Sequence, residues 1–309
     1  MKRRLTSIIL LYLLSICVVF AQTGNYDWKN PTSIIGKGVY FASVSTQNPN
    51  LNVFCVKIDT SVEGLKFYTT PKLTNGYTSG VAETKKETTR NFIRRFQGEK
   101  RRMICAINAD FFTPWPAPNQ EDPANLLHFA VSDGVLVSEP AGTPSFIVTK
   151  DGKCKFEVTN PGYDISNVWV AVSGNVYCLL ENNIVAANEA SSTERHPRTA
   201  IGMSSDNRYV YFLVIDGRRF KSIGANMYEL GNWAKYFGAY SAINLDGGGS
   251  STMAYLNRKG KKDDMCELLN SPNSIDFLSQ TPEIENATYK IQERNVGNNL
   301  GVYFEVKEN

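Results

Sequence analysis

The chain has 309 residues, 20% of them charged, with 33 Lys and Arg against 30 Asp and Glu. Three of the basic residues, Lys2, Arg3 and Arg4, stand in residues 1–21 with no acid beside them, so the rest of the chain carries 30 of each sign. That balance excludes a basic surplus that would draw the protein onto nucleic acid or an anionic membrane, and any attraction for an anion has to come from a local site.

At the amino terminus the three basic residues precede an apolar run over 8–20, which ends in Ala21 before Gln22. This order reads as a secretory signal peptide over residues 1–21, with a mature chain in the periplasm or secreted to the medium. Cys17 offers a site for a lipid anchor, but the bulky Ile16 before it makes anchoring the lesser reading. No later stretch reaches the roughly 18 consecutive apolar residues of a membrane span. Residues 22–309 contain no linker, repeat or low-complexity tract. They are long enough for an ample core and read as one large domain.

Cys17 leaves with the leader, and Cys55, Cys105, Cys154, Cys178 and Cys266 remain without any CxxC pairing. An odd, scattered set spells no disulfide framework. Cys55, Cys105 and Cys178 lie in strand-like apolar runs, where a free cysteine acts as a small buried hydrophobe; one disulfide is the alternative. His128 and His196 are the only histidines. A three-histidine zinc site is thereby excluded, and a histidine-rich two-metal phosphoesterase is disfavoured.

In chain order, 39–46, 51–59 and 65–70 are short, rich in Val, Phe and Tyr, and separated by Asn/Pro or Gly breaks, as strands are. Over 81–97, Phe92, Ile93 and Phe96 recur at helical spacing among charged residues, which predicts an amphipathic helix with a solvated basic face. Strands resume at 103–108, 129–137 with a Ser132-Asp133-Gly134 turn, 146–149, 168–172, 176–180 and 209–215. A second helix is predicted over 226–237, then a strand over 241–245 and a final one after Leu300. Many strands with few helices predict an α+β fold on mixed or antiparallel sheets.

Polar clusters follow several of these strands. Asp246-Gly247-Gly248-Gly249-Ser250-Ser251-Thr252 sets a carboxylate, three glycines and three hydroxyls at a strand end. Glycines let a backbone approach a ligand and turn N–H groups toward an anion; a tight turn capped by Asp246 explains the same residues. The Lys-Ser/Thr ending of a Walker loop is missing, as is a Gly-x-Ser-x-Gly elbow. In His196-Pro197-Arg198-Thr199, the arginine is a planar cationic fork for phosphate oxygens or, equally, a surface ion-pair partner. Asp216-Gly217-Arg218 places another acid and arginine after a strand, where a simple turn would do as well. Asn108-Ala109-Asp110-Phe111-Phe112 and Glu293-Arg294-Asn295-Val296-Gly297-Asn298 are further clusters of this kind. Such recurrence is expected of a site assembled on a sheet rim.

Taken together, 108–112, 197–202, 216–218, Ser222 with Gly224, 244–252 and 294–300 occur in the order of the phosphodiester glycosidase family, which the chain resembles over about 100–305. The resemblance implies an α+β fold and hydrolysis of a sugar 1-phosphate diester, a carbohydrate-phosphate substrate. It carries over Asn108, Arg198, Asp216, Asp246 and Asn298 as site residues. Asp110 stands where the family often has glycine, so an essential role is not carried over to it. For this chemistry Asp246 is assigned as nucleophile or base, with Asp216 as the next carboxylate. Arg198, Gly247, Gly248, Gly249, Ser250 and Ser251 are assigned to the phosphate, with Arg218 and Arg294 as further binding residues; Asn108 and Asn298 would orient sugar hydroxyls. A phosphate monoester's second pKa is about 6, so the leaving group needs little protonation and no dedicated general acid is called for.

Two other classes fit parts of the pattern. A non-catalytic surface glycan-binding protein would keep the arginine and glycines but has no need of Asp216 and Asp246. A metal-assisted phosphodiesterase attacking phosphorus would use Asp110, Asp216 and Asp246 as ligands for calcium or magnesium. On the favoured reading no cofactor is required and no metal ligand is assigned. The oligomeric state has no signature in the sequence.

Overall fold

The computed structural model describes residues 24–73, 83–98, 100–114, 123–185, 194–257, 265–273 and 292–306. The leader expected over 1–21 lies outside them. Among the described residues no helix is long and apolar enough to cross a membrane.

The molecule is largely β, with two α-helices among the described residues. One sheet has eight strands, in the order Ser33–Gly36, Val39–Thr46, Leu51–Asp59, Tyr209–Ile215, Arg198–Met203, Ser241–Asn244, Val176–Leu180 and Asn183–Ile184. A second runs Val135–Ser138, Ala130–Ser132, Val168–Ser173, Thr143–Thr149 and Cys154–Thr159; a third runs Met265–Leu268, Met253–Asn257, Arg101–Asn108, Asn299–Glu305 and Leu65–Thr69. Within each of these sheets the paired strands are antiparallel, so of the mixed and antiparallel arrangements expected, the antiparallel one is present. The α+β expectation overstated the helical share.

One core is shared by all three sheets. Val56, Phe212, Val214 and Ile243 of the first pack with Phe146 and Val172 of the second and with Phe67, Ile107 and Leu300 of the third. Each such side chain taken fully out of water contributes about 1.5–3 kcal/mol. The near-continuous apolar run of Tyr209–Ile215 follows from this position, because six of its seven residues are buried. The five cysteines 55, 105, 154, 178 and 266 are all free and buried. They are small hydrophobes of the interior, and the disulfide alternative is not realised.

The second helix, α2, spans Met227–Tyr236, inside the predicted 226–237. Asn226 and Glu229 close it with a capping box, the Asn226 side chain accepting from Glu229 N–H and Glu229 accepting from Asn226 N–H. The first, α1, departs from the prediction over 81–97 and covers only Thr89–Arg95. Thr88 caps it by accepting from Asn91 N–H at 3.2 Å. Upstream, Thr84–Lys85 is extended and pairs with Pro123–Leu126. A threonine cap stops a helix from growing backward, and periodicity carried by Phe92, Ile93 and Phe96 says nothing about residues before it.

The first and third sheets are stitched together where the polar clusters lie. Leu245 N–H donates to Thr199 O at 2.9 Å within the first sheet, and the next residue crosses over, Asp246 N–H donating to Ala109 O at 2.9 Å. Asn108 N–H donates to Thr252 O at 3.2 Å and Ala109 N–H to Asn298 O at 3.0 Å. Four segments far apart in sequence thus meet at one rim.

Candidate active site

Asp246 sits at this junction with its main chain held on both sides. Its carbonyl accepts from Asn108 Nδ2 at 2.6 Å, and its N–H is spent on Ala109. The side chain lines a cavity of about 430 Å³. Burial pushes its carboxyl up to about 6, while the Ser250 hydroxyl, the charge of Arg294 and the Gly247 N–H pull the other way.

Around Asp246 the cavity is lined by three cationic residues, Arg198, Arg218 and Arg294, and by the apolar residues Phe111, Phe112, Leu127, Val176 and Met227. Gly247, Gly248 and Gly249 line it as well. Arg198 is steered by two carbonyls, donating from Nε to Ala225 O at 2.9 Å and from Nη2 to Glu194 O at 3.0 Å. Arg218 takes a left-handed backbone, φ 59°, which carries its guanidinium to Gly248; a Cβ there would stand 3.1 Å from Nη2. Gly217 before it is required by space, because a Cβ would come within 2.6 Å of Pro197 N.

The glycine turn is a short 3₁₀ helix over Gly248–Ser250, and most of its donors are committed. Gly248 N–H goes to Pro197 O at 2.8 Å, and those of Ser250 and Ser251 return to Gly247 O and Gly248 O at 3.2 Å. Gly247 N–H acts on the Asp246 carboxyl, lowering its pKa against the effect of burial. Gly249 N–H is left, among the described residues, as the amide of the turn without an acceptor. Ser250 and Ser251 are 0% and 1% exposed and do not line the cavity. Their hydroxyls are therefore not where the phosphate assignment needed them.

Asn108 and Asn298 are likewise not sugar-facing. Both are fully buried. Asn108 accepts from Thr199 Oγ1 at 2.8 Å and Thr252 N–H at 3.0 Å while donating to Asp246 O. Asn298 donates to Asp110 Oδ2 at 2.7 Å and accepts from Thr70 N–H at 3.1 Å. Every polar atom of these two side chains staples strand ends together, because a buried amide left unpaired would cost about 1–3 kcal/mol.

Asp216 also stands apart from the cavity. It is 3% exposed, and its carboxylate accepts from Asn270 Nδ2 at 2.9 Å and from Ser271 N–H at 3.1 Å. Burial pushes it to about 6, against those bonds. Asp110 is 1% exposed, accepts from Ser173 N–H at 2.8 Å and from Asn298, and is pushed by burial to about 8. Among the described residues no group of three His, Cys, Asp or Glu stands where it could hold a metal ion, so Asp110, Asp216 and Asp246 do not assemble into the ligand set that the metal-assisted reading needs.

Reading the sequence also passed over residues that the fold brings to the cavity, chiefly Glu194, His196, Asn175 and Asn244. The nearest signal was the position of His196 two residues before Arg198. A strand-end motif does not show which of its neighbours turns inward.

The chain is 29% identical over 143 residues to N-acetylglucosamine-1-phosphodiester alpha-N-acetylglucosaminidase of Mus musculus, a stretch covering 40% of this chain and 27% of that protein. It is 42% identical over 60 residues to an uncharacterised prophage-derived protein of Bacillus subtilis, covering 19% of this chain and 9% of that one. The matched stretches thus span about a quarter and a tenth of those relatives. In fold it is similar to the zebrafish N-acetylglucosamine-1-phosphodiester alpha-N-acetylglucosaminidase catalytic domain auto-inhibited by its pro-peptide, with a TM-score of 0.57, 17% identity, and coverage of 93% of this chain and 87% of that one. A putative exported protein of Burkholderia pseudomallei has a TM-score of 0.54 at 14% identity, covering 82% of this chain and 74% of that one. The phosphodiester glycosidase family matches residues 101–303, which hold the whole of the rim just described, and the chain belongs to that family.

Proposed function

We propose that the protein hydrolyses the bond between the anomeric carbon of a sugar and an oxygen of a phosphodiester, releasing the sugar and a phosphate monoester. The observation that carries this reading is the Asp246 carboxylate lining a single cavity with three arginines, Arg198, Arg218 and Arg294. Cleavage there passes through an oxocarbenium-like transition state, which a carboxylate stabilises and, as nucleophile or base, resolves. With its carboxyl at about 6, Asp246 is mostly ionised at neutral pH and basic enough to take a proton. Guanidinium forks and Gly249 N–H meet the phosphate oxygens, where negative charge grows as the bond breaks.

In this scheme Asn108 acts on Asp246 by holding its carbonyl, Ser250 tunes its carboxylate, and Asn298 and Asp216 hold the frame. Protein groups alone perform the steps, so activity is expected to survive a chelator. The sugar is not carried over from the mouse relative. We place the reaction outside the cytoplasm, on the strength of the leader read in residues 1–21.

Hydrolysis of a sugar-phosphate diester in oxygen-18 water tests the reading. Label in the sugar is expected. Label in the phosphate means attack on phosphorus, and saturable binding without turnover means a glycan-binding protein; either result would replace this reading.

A further inference from the structure

Two residues of the cavity, Glu194 and His196, have no part in the scheme above. His196 Nε2 lies 3.0 Å from Glu194 Oε2, and the imidazole is 28% exposed. The main chain under the pair is built to hold it. His196 N–H donates to Ala225 O at 3.2 Å and its carbonyl accepts from Ala225 N–H at 2.9 Å. Gly224, at φ +93°, packs so closely that a Cβ would fall within 2.6 Å of the His196 carbonyl. Arg195 donates to Gly224 O at 3.0 Å and pairs with Glu229 of the α2 capping box. On the other side, Pro197 fixes the chain and its carbonyl accepts from Gly248 N–H at 2.8 Å. The imidazole is therefore set on the same frame as the glycine turn and Arg198. His128, the other histidine, packs its ring 6.1 Å from that of Phe111 and does not line the cavity.

The chemistry of the pair follows from which nitrogen is engaged. With Nε2 turned to the carboxylate, the neutral ring carries its hydrogen there and its lone pair on Nδ1. Once protonated, the ring gains an Nδ1–H donor. The departing phosphate monoester, with a second pKa of about 6, is basic enough to accept a proton from such a donor.

We propose that His196, oriented by Glu194, is a second catalytic residue of the cavity and protonates the leaving phosphate. This rests on the glycosidase reading above and extends it. As the bond between the anomeric carbon and oxygen breaks, its electron pair stays on the phosphate oxygen, which takes the Nδ1 proton of the imidazolium. Water adds to the anomeric carbon and releases one proton, which restores the imidazolium. One water is consumed and no other reactant is needed. Because the phosphate is already a fair leaving group, the contribution is modest, and it grows as the leaving group becomes more basic.

The test is His196→Gln with two phosphodiesters of one sugar, one whose second ester group is methyl and one whose second ester group is 4-nitrophenyl, the latter releasing the less basic phosphate. The variant is expected to lose about tenfold in kcat/KM on the methyl diester and no more than about threefold on the aryl one. Glu194→Gln, at a 65% exposed side chain, is expected to show a smaller loss in the same order. A merely structural role lowers both substrates equally, and that result, or no loss at all, overturns the proposal while the glycosidase reading stands. If the wild-type protein hydrolyses neither diester, the glycosidase reading fails and this one falls with it.

Discussion

Two Asp-Gly turns leave two apolar strands of the same sheet, Asp216-Gly217 after Tyr209–Ile215 and Asp246-Gly247 after Ser241–Asn244. Burial pushes both carboxyls up to about 6. Their surroundings differ. Asp216 is closed over by Asn270 and Ser271, which arrive from 54 and 55 residues away, whereas Asp246 is pinned by its main chain and leaves its carboxylate at the cavity wall. Local motif and titration shift are therefore alike in a structural and a candidate catalytic carboxylate. The difference lies in whether the residue is closed over by donors from a distant segment or lines the cavity.

The sharpest way to break the comparison is to remove each charge in turn. Asp246→Asn is expected to lower turnover by about a hundredfold or more, roughly 2.7 kcal/mol of transition-state stabilisation, with little change in Tm. Turnover measured beside Tm checks this, and a folded, active variant would strip Asp246 of its role. Asp216→Ala should do the reverse. It strands the Asn270 amide and Ser271 N–H and is expected to cost about 1–3 kcal/mol of stability, read as a lowered denaturant midpoint, with turnover largely kept below the transition.

Arg198→Lys comes next in size. A point charge cannot make the fork contacts to Ala225 O and Glu194 O while facing a phosphate. A fall in kcat/KM of at least about tenfold, roughly 1.4 kcal/mol, is expected from steady-state kinetics.

The smallest effect is on pH dependence. Asp246 must be ionised to act, so turnover should climb as pH rises through about 6, and Asp216→Asn should leave that limb in place. Stability runs the opposite way for both groups. A carboxyl raised from 3.8 to about 6 in the folded state favours the fold while protonated, so its contribution is full below about pH 4 and is lost as pH rises through about 6. In wild-type protein this contribution to Tm should increase from pH 7 toward pH 4.5, and Asp216→Asn should flatten part of the rise.

Much of the scaffold was legible. Runs such as 39–46, 51–59, 176–180 and 209–215 end where the strands end, because Asn, Pro and Gly break the pleat at those positions. The second helix, predicted over 226–237, was found within one residue of its ends at Met227–Tyr236. Arg198–Met203 and Met253–Asn257 were less visible as strands, since Thr, Ala, Gly and Ser in and around them carry little alternating hydrophobicity. Within the site, the glycines, Asp246 and the three arginines that the motifs and the family resemblance singled out line one cavity. The same reasoning misdirected Asn108 and Asn298, because a polar side chain at a strand end serves equally well as a ligand contact or as a staple between sheets.

By itself the sequence determined what is local: strand bounds from Val-, Phe- and Tyr-rich runs and their breakers, the second helix near its observed ends, and a family from an ordered set of motifs. Only the tertiary structure decided which polar groups remain available to a substrate. That depends on desolvation and on hydrogen-bond partners delivered from distant segments, as Asn270 is to Asp216 and Asp246 O to Asn108, and no window of sequence contains both members of such a pair.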